Sequence, residues 1–267
     1  MYSIFTPSHR GGSGSPLVCL HGFTGTWRTW ELVLPALERR HDVLAPTLLG
    51  HAGGPPLEGE VSADIILDAI ERAMDEAGFA TAHIVGNSLG GFLALELATR
   101  GRAESVVALA PAGGWAKGDE SYKETAAFFA TMQAELKAAA PHAEALVASV
   151  EGRRLATQFI TTNFEHIPPE LLVHHLLGVA SCKGALPMVE NALREGYSDL
   201  EAEKITCPVR IVWGTDDKLL PWPSTAARFR DDWLPHADWV ELEGIGHCPQ
   251  LDVPLETAQL ILGFTAR

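Results

Sequence analysis

The sequence predicts an α/β fold in which helices cover both faces of a mostly parallel central sheet. Short apolar runs alternate with amphipathic stretches before residue 113 and again after residue 204. Between these positions the chain carries several helical stretches and no convincing strand. We therefore expect a core made of residues 1–112 and 205–267, with residues 113–204 inserted as a helical cap or lid, because that segment is too long for an ordinary loop. The 267 residues fit one large domain with such an insertion.

The part of the chain before residue 113 predicts four buried strands and three helices. The strands are short apolar runs at 16–20, 42–45, 82–86 and 105–109. The helices are predicted at 27–40, 62–77 and 89–99, where apolar side chains recur at spacings of three and four. Residues 11–15, Gly-Gly-Ser-Gly-Ser, read as a short flexible turn.

The middle segment predicts helices at 120–140, 144–150 and 169–179. The strand–helix order then resumes with strands at 209–213 and 239–242, a helix after Pro221 and a last helix from Pro254. Apolar side chains are frequent in the middle segment. We expect most of them to form its own core and some to line a hydrophobic substrate pocket; they are Trp115, Phe128, Phe129, Met132, Phe159, Phe164, Leu172, Leu176 and Met188.

The composition of the chain argues against several classes of function. With 20 Lys and Arg against 34 Asp and Glu, the formal charge is −14, and no basic cluster offers phosphates a positive face, so nucleic-acid binding is not expected. No apolar run approaches the ~20 residues of a membrane span. The start of the chain has neither a basic nor an apolar secretory region, and the four cysteines form no C-x-x-C pair. We expect a cytoplasmic protein with reduced thiols and no zinc cage, monomeric or dimeric.

The strongest local motif is Gly86-Asn87-Ser88-Leu89-Gly90, which follows a predicted strand and precedes a predicted helix. Glycines two residues before and after a serine permit a tight strand-to-helix turn that exposes the serine hydroxyl. The start of a helix also favours negative charge that develops nearby. This context predicts that Ser88 is a nucleophile.

A serine hydroxyl needs a base to take its proton and a third group to orient that base. In a parallel sheet these partners are expected beyond the carboxyl ends of later strands. His247 lies in the segment Gly244-Ile245-Gly246-His247 after the last predicted strand, and Asp216 and Asp217 follow the strand that ends at Trp213. The order serine, aspartate, histidine is the one expected for this fold.

In these motifs the chain resembles the α/β-hydrolase family over nearly its whole length outside the middle segment. The resemblance selects Asp217 as the acid, three residues after Gly214 and four before Pro221, and leaves Asp216 as a turn residue. It implies an oxyanion hole formed by the backbone N–H groups of Leu89 and of Phe23, which follows His21-Gly22, with Thr24 a lesser candidate. No cofactor or metal is implied.

Two further segments are given structural roles. Residues 50–56 occupy the place of a family turn, but Thr47 stands where relatives have an aspartate and the final serine is missing. His174 and His175 have no third ligand at metal spacing, so polarity of a helix surface explains them.

The resemblance implies a carboxylesterase-type serine hydrolase that cleaves small-molecule esters of small to medium acyl chains through Ser88, His247 and Asp217. An alternative is a carbon–carbon bond hydrolase of the meta-cleavage type, whose elbow is similar to Asn87-Ser88 but whose tryptophan after the histidine is replaced by Cys248. A further alternative is a non-catalytic ligand-binding module on the same fold. Dehalogenase and epoxide-hydrolase relatives place an aspartate at the elbow, where this chain has Ser88.

Overall fold

The computed structural model describes residues 4–196 and 199–266. The first three residues of the segment considered above for a secretory signal, and residues 197–198 of the middle segment, lie outside the described residues.

The core is a seven-stranded sheet in the order β1-β3-β2-β4-β5-β6-β7. All pairs are parallel except β1 with β3, so the predicted fold class is confirmed. The strands are β1 (Ser8–Gly12), β2 (Ser15–Leu20), β3 (His41–Pro46), β4 (Ala82–Asn87), β5 (Ala103–Leu109), β6 (Val209–Gly214) and β7 (Asp238–Leu242).

The flexible turn predicted at residues 11–15 is confined to residues 13 and 14, which connect β1 to β2. Gly11 and Gly12 end β1, which pairs antiparallel with β3 at the edge of the sheet. A side chain at Gly12 would bring its Cβ within 2.2 Å of the His41 carbonyl oxygen, and its φ is +81°. The glycines thus permit a close backbone approach at this strand end.

Helices pack on both faces of the sheet. Along β2, Val18 and Leu20 belong to one apolar cluster with residues of α2 and α3, whereas Leu17 and Cys19 belong to another with residues of α1 and α10. This alternation is the period of two that a strand buried on both faces requires. The helices are α1 (Leu34–Leu37), α2 (Ala63–Ala77), α3 (Leu89–Thr99), α4 (Tyr122–Ala139), α5 (Ala143–Val147), α6 (Val150–Thr157), α7 (Pro169–Ser181), α8 (Ala185–Glu195), α9 (Pro249–Asp252) and α10 (Pro254–Thr265).

Two helices predicted from apolar periodicity are broken in the structure. The stretch 27–40 forms a 3₁₀ turn, Trp27–Trp30, and then the single-turn α1. Pro35 lacks the N–H that a continuous helix would need and stands instead in the first turn of α1, where that loss costs nothing. After Pro221 the chain forms only a 3₁₀ turn, Ser224–Ala226, and a π-helical turn, Phe229–Trp233.

The segment 113–204, called here the helical insertion, forms α4 to α8, and its described residues contain no strand. The sequence prediction missed α6 and α8. Residues of α5 and α7 share a third apolar cluster with Cys248 and Leu251, which follow β7. At the other side, Gly184 donates its N–H to the Gly50 carbonyl at 2.8 Å, so the loop at residues 50–56 contacts the start of α8. The insertion is therefore attached to the core at both sides.

Among residues 4–196 and 199–266, no single helix is both long and apolar enough to cross a membrane. Within these ranges, only α7 and α8 taken together have the length and apolar composition of a membrane-spanning helix, and the two are bent by 61° at the break between them.

Candidate active site

Ser88 stands alone between β4 and α3, in the sharp turn that the sequence predicts. Its φ of +57° and ψ of −120° lie in a region that side-chain-bearing residues rarely adopt. The turn is held by the Ser88 N–H, which donates to the Leu109 carbonyl at 2.9 Å, and by its carbonyl, which accepts from Phe92 and Ala112 at 3.1 Å. Such strain is characteristic of functional positions.

The glycines of the turn are required by close backbone contacts. A Cβ at Gly86 would lie 2.0 Å from the Gly90 carbonyl oxygen, and one at Gly90 would lie 2.2 Å from the Leu20 carbonyl oxygen. The turn can therefore form only if the start of α3 packs directly on β4 and on the end of β2.

We expect Gly86→Ala to lower the free energy of unfolding by about 3 kcal/mol or more, because backbone cannot move aside as a side chain can. Gly263 in α10 is the matched control, since a Cβ there meets nothing within 4 Å. Gly263→Ala should raise stability by about 0.5–1 kcal/mol through helix propensity. Urea unfolding of both variants measures the difference; equal stability of the two would contradict the packing argument.

Asp217 and His247 form a buried pair beyond the carboxyl ends of β6 and β7. The His247 Nδ1 lies 2.7 Å from Asp217 Oδ2, and their side chains are 4% and 0% exposed. The other carboxylate oxygen, Oδ1, accepts the N–H groups of Leu219 and Leu220 at 2.9 and 2.8 Å. An aspartate held in this way can fix the histidine tautomer with Nε2 free to take a proton.

Of the two adjacent carboxylates, the structure brings Asp217 to His247. Asp216 is exposed, and its N–H donates to the Ile245 carbonyl at 3.0 Å, so its place is in the turn. A Cβ at Gly214 would lie 2.2 Å from the Ile245 carbonyl oxygen. The two loops that carry the aspartate and the histidine thus pack directly against each other.

The loop after β2 approaches Ser88 through a glycine. A Cβ at Gly22 would stand 3.2 Å from the Ser88 Cβ, and the following residue, Phe23, lines the cavity at Ser88. Thr24 has a φ of +60°, another strained value in this loop. The Leu89 N–H is the first of α3 and has no acceptor within its own helix. Both predicted oxyanion-hole residues therefore lie beside Ser88.

His21 holds this loop in place as a neutral side chain. Its Nε2 accepts the Leu48 N–H at 2.9 Å, so its Nδ1 carries the proton and donates to the Gly22 carbonyl at 2.7 Å. Burial and the nearby His51 hold the pKa of His21 well below its usual range. The loop geometry therefore does not depend on protonation of His21 near neutral pH.

Asn87 connects the nucleophile turn to the histidine loop. Its side-chain amide donates to the carbonyls of Leu109 at 3.1 Å and His247 at 3.0 Å. Its Oδ1 accepts from Gln250 Nε2 at 3.0 Å and Cys248 Sγ at 3.3 Å. All four hydrogen-bonding positions of this buried amide are used. The sequence prediction missed this contact, which joins residues 160 positions apart.

A cavity extends on two sides of Ser88 and His247. Chamber A, of about 150 Å³, is bounded mainly by α3, α4 and α8, and chamber B, of about 140 Å³, by α4, α7 and the loop after β2. Five residues line both chambers where they meet: Phe23, Ser88, Phe129, Leu219 and His247.

The apolar residues of the helical insertion form much of this cavity. Of the nine that the sequence predicted mainly as a core of the insertion, only Phe164 is not a lining residue. The expectation that some of these side chains line a pocket is therefore confirmed for eight of them. The expectation that most form the insertion's own core holds for three, Phe164, Leu172 and Leu176, which belong to its buried apolar cluster. Those lining chamber A alone are Trp115 and Met188, and those lining chamber B alone are Phe128, Met132, Phe159, Leu172 and Leu176.

Three titratable side chains near the cavity, His174, His175 and Cys248, are uncharged near neutral pH. His175 lines chamber B, and burial together with His174 and Arg28 lowers its pKa to about 3. Its neighbour His174 accepts or donates a hydrogen bond at Thr26 Oγ1, 3.0 Å away. Burial and the carboxylates of Asp217 and Asp252 raise the pKa of the Cys248 thiol, which keeps it protonated. Within the described ranges, no group of three His, Cys, Asp or Glu side chains could hold a metal ion.

A serine turn after the central parallel strand, with an aspartate–histidine pair at the ends of two later strands, is the layout of a hydrolase built on an α/β sheet. A family model described as the alpha/beta hydrolase family matches residues 17–260, and the chain belongs to that family.

Relatives in this family carry different activities in their names. The chain is 34% identical over 206 residues to "Epoxide hydrolase EphH" of Mycobacterium tuberculosis (strain ATCC 25618 / H37Rv), covering 76% of this chain and 95% of that protein. It is 36% identical over 101 residues to "2-hydroxymuconate semialdehyde hydrolase" of Pseudomonas sp. (strain CF600), 36% of each chain. The crystal structure of CarC, a serine hydrolase involved in carbazole degradation, has a similar fold. Its TM-score is 0.76 at 21% identity, covering 97% of this chain and 93% of that one.

Proposed function

We propose that this chain is a serine hydrolase that cleaves carboxylic esters through Ser88, His247 and Asp217. The observation that carries the proposal is the 2.7 Å Asp217–His247 pair beside a strained serine turn, in an apolar cavity. Ser88 and His247 line both chambers, so a substrate carbonyl at their junction can reach both groups. We further propose that the helical insertion acts as the cap that closes this cavity.

Acylation begins when the Ser88 Oγ attacks the ester carbonyl carbon and its proton passes to His247 Nε2. Asp217 holds the Nδ1 proton and stabilises the imidazolium that forms. The N–H groups of Phe23 and Leu89 bind the oxyanion of the tetrahedral intermediate. When the intermediate collapses, the C–O bond to the alcohol breaks, and the alcohol leaves with the proton from His247.

Deacylation repeats these steps with water in place of the serine. His247 takes a proton from water, and the hydroxide attacks the acyl-enzyme carbonyl. Collapse releases the carboxylic acid and returns the proton to Ser88. The chemistry is complete with the side chains and backbone N–H groups named here.

The cavity favours an uncharged substrate of modest size. A cavity of about 150 Å³ lined by apolar side chains is large enough for benzene, so each chamber suits a group of about six to eight carbons. Neither chamber has a Lys or Arg among its lining residues in the described part of the chain. These features favour esters of small to medium acyl chains over anionic substrates.

Epoxide opening, the activity named for one relative, fits Ser88 poorly. A serine oxygen that opens an epoxide forms an ether, which has no carbonyl for water to attack, so the enzyme would not be regenerated. A carboxylate nucleophile forms an ester instead. Ser88 at the turn therefore supports acyl transfer.

The second candidate is carbon–carbon bond hydrolysis of a meta-cleavage product. The Asn87-Ser88 turn and the match to a 2-hydroxymuconate semialdehyde hydrolase favour it. A muconate carries a carboxylate, however, and the chambers lack a lining cation among the described residues. Ester hydrolysis is therefore the preferred hypothesis.

Hydrolysis of p-nitrophenyl esters from acetate to palmitate tests the proposal. We expect kcat/KM to be highest between about six and eight acyl carbons, the size of one chamber, and to fall steeply for longer chains. 2-Hydroxymuconate semialdehyde and styrene oxide serve as comparison substrates. No turnover of any ester by folded protein, with turnover of either comparison substrate, would overturn the ester reading.

A further inference from the structure

The short helix α9 ends at a buried carboxylate that the proposed reaction does not use. Asp252 is 2% exposed and follows His247 by five positions. Among residues 4–196 and 199–266, no Lys, Arg or His lies within ion-pair distance of it. A buried carboxylate without a cation is costly unless hydrogen bonds satisfy it fully.

Four N–H groups satisfy Asp252, and they come from two different parts of the chain. The Gly246 N–H, directly before His247, donates to Oδ2 at 2.7 Å. The Thr162 N–H donates to the same oxygen at 2.8 Å. The Asn163 N–H and Nδ2 donate to Oδ1 at 2.7 and 2.8 Å. Asp252 thus links the histidine loop to the helical insertion.

Further contacts make this link rigid. The Cys248 N–H, directly after His247, donates to the Ile160 carbonyl at 2.8 Å. A Cβ at Gly246 would lie 3.0 Å from Thr161 Cα, so the two backbones touch here. Ile160 also lines chamber B. The N–H groups of Gly246 and Cys248, the residues on either side of His247, are therefore held by Asp252 and by Ile160, and Ile160 belongs to the wall of chamber B.

We infer that Asp252 is a positioning residue that holds His247 and the wall of chamber B in one fixed relation. The inference rests on the proposed role of His247 as the base. A proton acceptor must keep its orientation to within a fraction of an ångström, and misplacement by about 1 Å can cost about 100-fold in rate. The carboxylate acts through the Gly246 N–H and does not contact the substrate.

Asp252→Asn tests the inference because it replaces one acceptor oxygen with a donor that faces N–H groups, at nearly unchanged volume. The matched control is His166→Ala, which removes a contact of the same segment to α9, the 2.8 Å contact with the Leu251 carbonyl, without touching the peptides beside His247. The active serine is titrated with a fluorophosphonate. Hydrolysis of p-nitrophenyl butyrate is then measured, and kcat is calculated per titrated serine.

We expect kcat per titrated serine to fall about 10- to 100-fold in Asp252→Asn, with KM changed less than about threefold, and the acid limb of the kcat/KM pH profile to move. His166→Ala should stay within about twofold of wild type. A merely structural role would lower the number of titratable serines and leave kcat per serine unchanged, which would overturn the inference. If Asp252→Asn does not fold, Thr162→Val removes a hydroxyl that lies 3.1 Å from Asp252 Oδ2 and 2.9 Å from the Gly244 carbonyl oxygen of the histidine loop. It should lower kcat per serine about 3- to 10-fold, and an unchanged value would overturn the inference.

Failure of the proposed function gives a different result. In that case the wild-type protein turns over no ester, whether or not its serine is titrated. If the wild-type serine is titrated and esters are turned over, the proposed function stands. If kcat per titrated serine is then equal in Asp252→Asn and His166→Ala, the positioning role is rejected.

Discussion

Replacing Ser88 with alanine should lower kcat for p-nitrophenyl esters by a factor on the order of 10⁴–10⁶. The substitution removes the oxygen that would form the acyl-enzyme, while the oxyanion-hole N–H groups and the cavity stay in place. The φ of +57° at this position strains alanine as much as serine, so the fold should be kept. Steady-state hydrolysis and covalent labelling by a fluorophosphonate measure the effect together.

Ser105→Ala is the matched control for Ser88→Ala. Ser105 is a buried serine in β5 whose Oγ lies 2.9 Å from His83 Nδ1. Its loss should cost about 1 kcal/mol of stability through one hydrogen bond and leave kcat unchanged. Ester turnover and labelling that persist in Ser88→Ala would refute Ser88 as the nucleophile.

The free energy of unfolding should fall by about 4 kcal/mol between pH 7.5 and pH 5.0 from two histidines alone. Burial lowers the pKa of His51 to about 4 and, with His174 and Arg28, that of His175 to about 3. Both are neutral in the folded protein at pH 5, whereas in the unfolded chain, with a pKa near 6.5, both bind a proton. Stability is therefore complete above about pH 6.5 and is lost as the pH falls, by about 2 kcal/mol for each group at pH 5.

This loss is large against a total stability of about 5–15 kcal/mol. Burial also lowers the pKa of His21, His41 and His83, which adds to the same trend. Urea unfolding at the two pH values measures it. In His51→Gln the difference between the two pH values should be smaller by about 2 kcal/mol, because that variant has no imidazole to titrate at this position. An identical pH dependence of wild type and His51→Gln would contradict the assignment to buried neutral histidine.

The sequence predicts those features that depend on neighbouring residues. The strands of the sheet core are continuous apolar runs, and the turn at Ser88 needs only Gly86 and Gly90 close by. The positions of Asp217 and His247 follow from strand order, because parallel strands bring their carboxyl ends to one edge. Choosing Asp217 over Asp216 needed the family resemblance.

Other features depend on contacts that no local pattern reveals. The edge strand β1, Ser-His-Arg-Gly-Gly, has no apolar alternation, so its pairing with β3 could not be predicted. The spacing of apolar side chains at 27–40 predicts one continuous helix, but it takes no account of Pro35, which stands at the start of a separate short helix. Asn87 and Asp252 reach partners about 160 and 90 positions away, and their residue types alone indicate nothing of this. The same holds for the insertion, where side-chain type does not decide between a core and a cavity wall.

The hydrogen bonds of Thr162 and Asn163 to Asp252 constrain how this enzyme can evolve. The helical insertion lies between Ser88 and Asp217 in the chain, so a new insertion could replace it without altering the three loops of the site. Yet Thr162 and Asn163 supply three of the four N–H donors to Asp252, and a foreign segment without them would leave that carboxylate with the Gly246 N–H alone. Grafting a relative's insertion should therefore succeed only when these two residues are kept or Asp252 is changed with them. The rest of the insertion is free to diversify, whereas these two residues are inherited with the loop that they support.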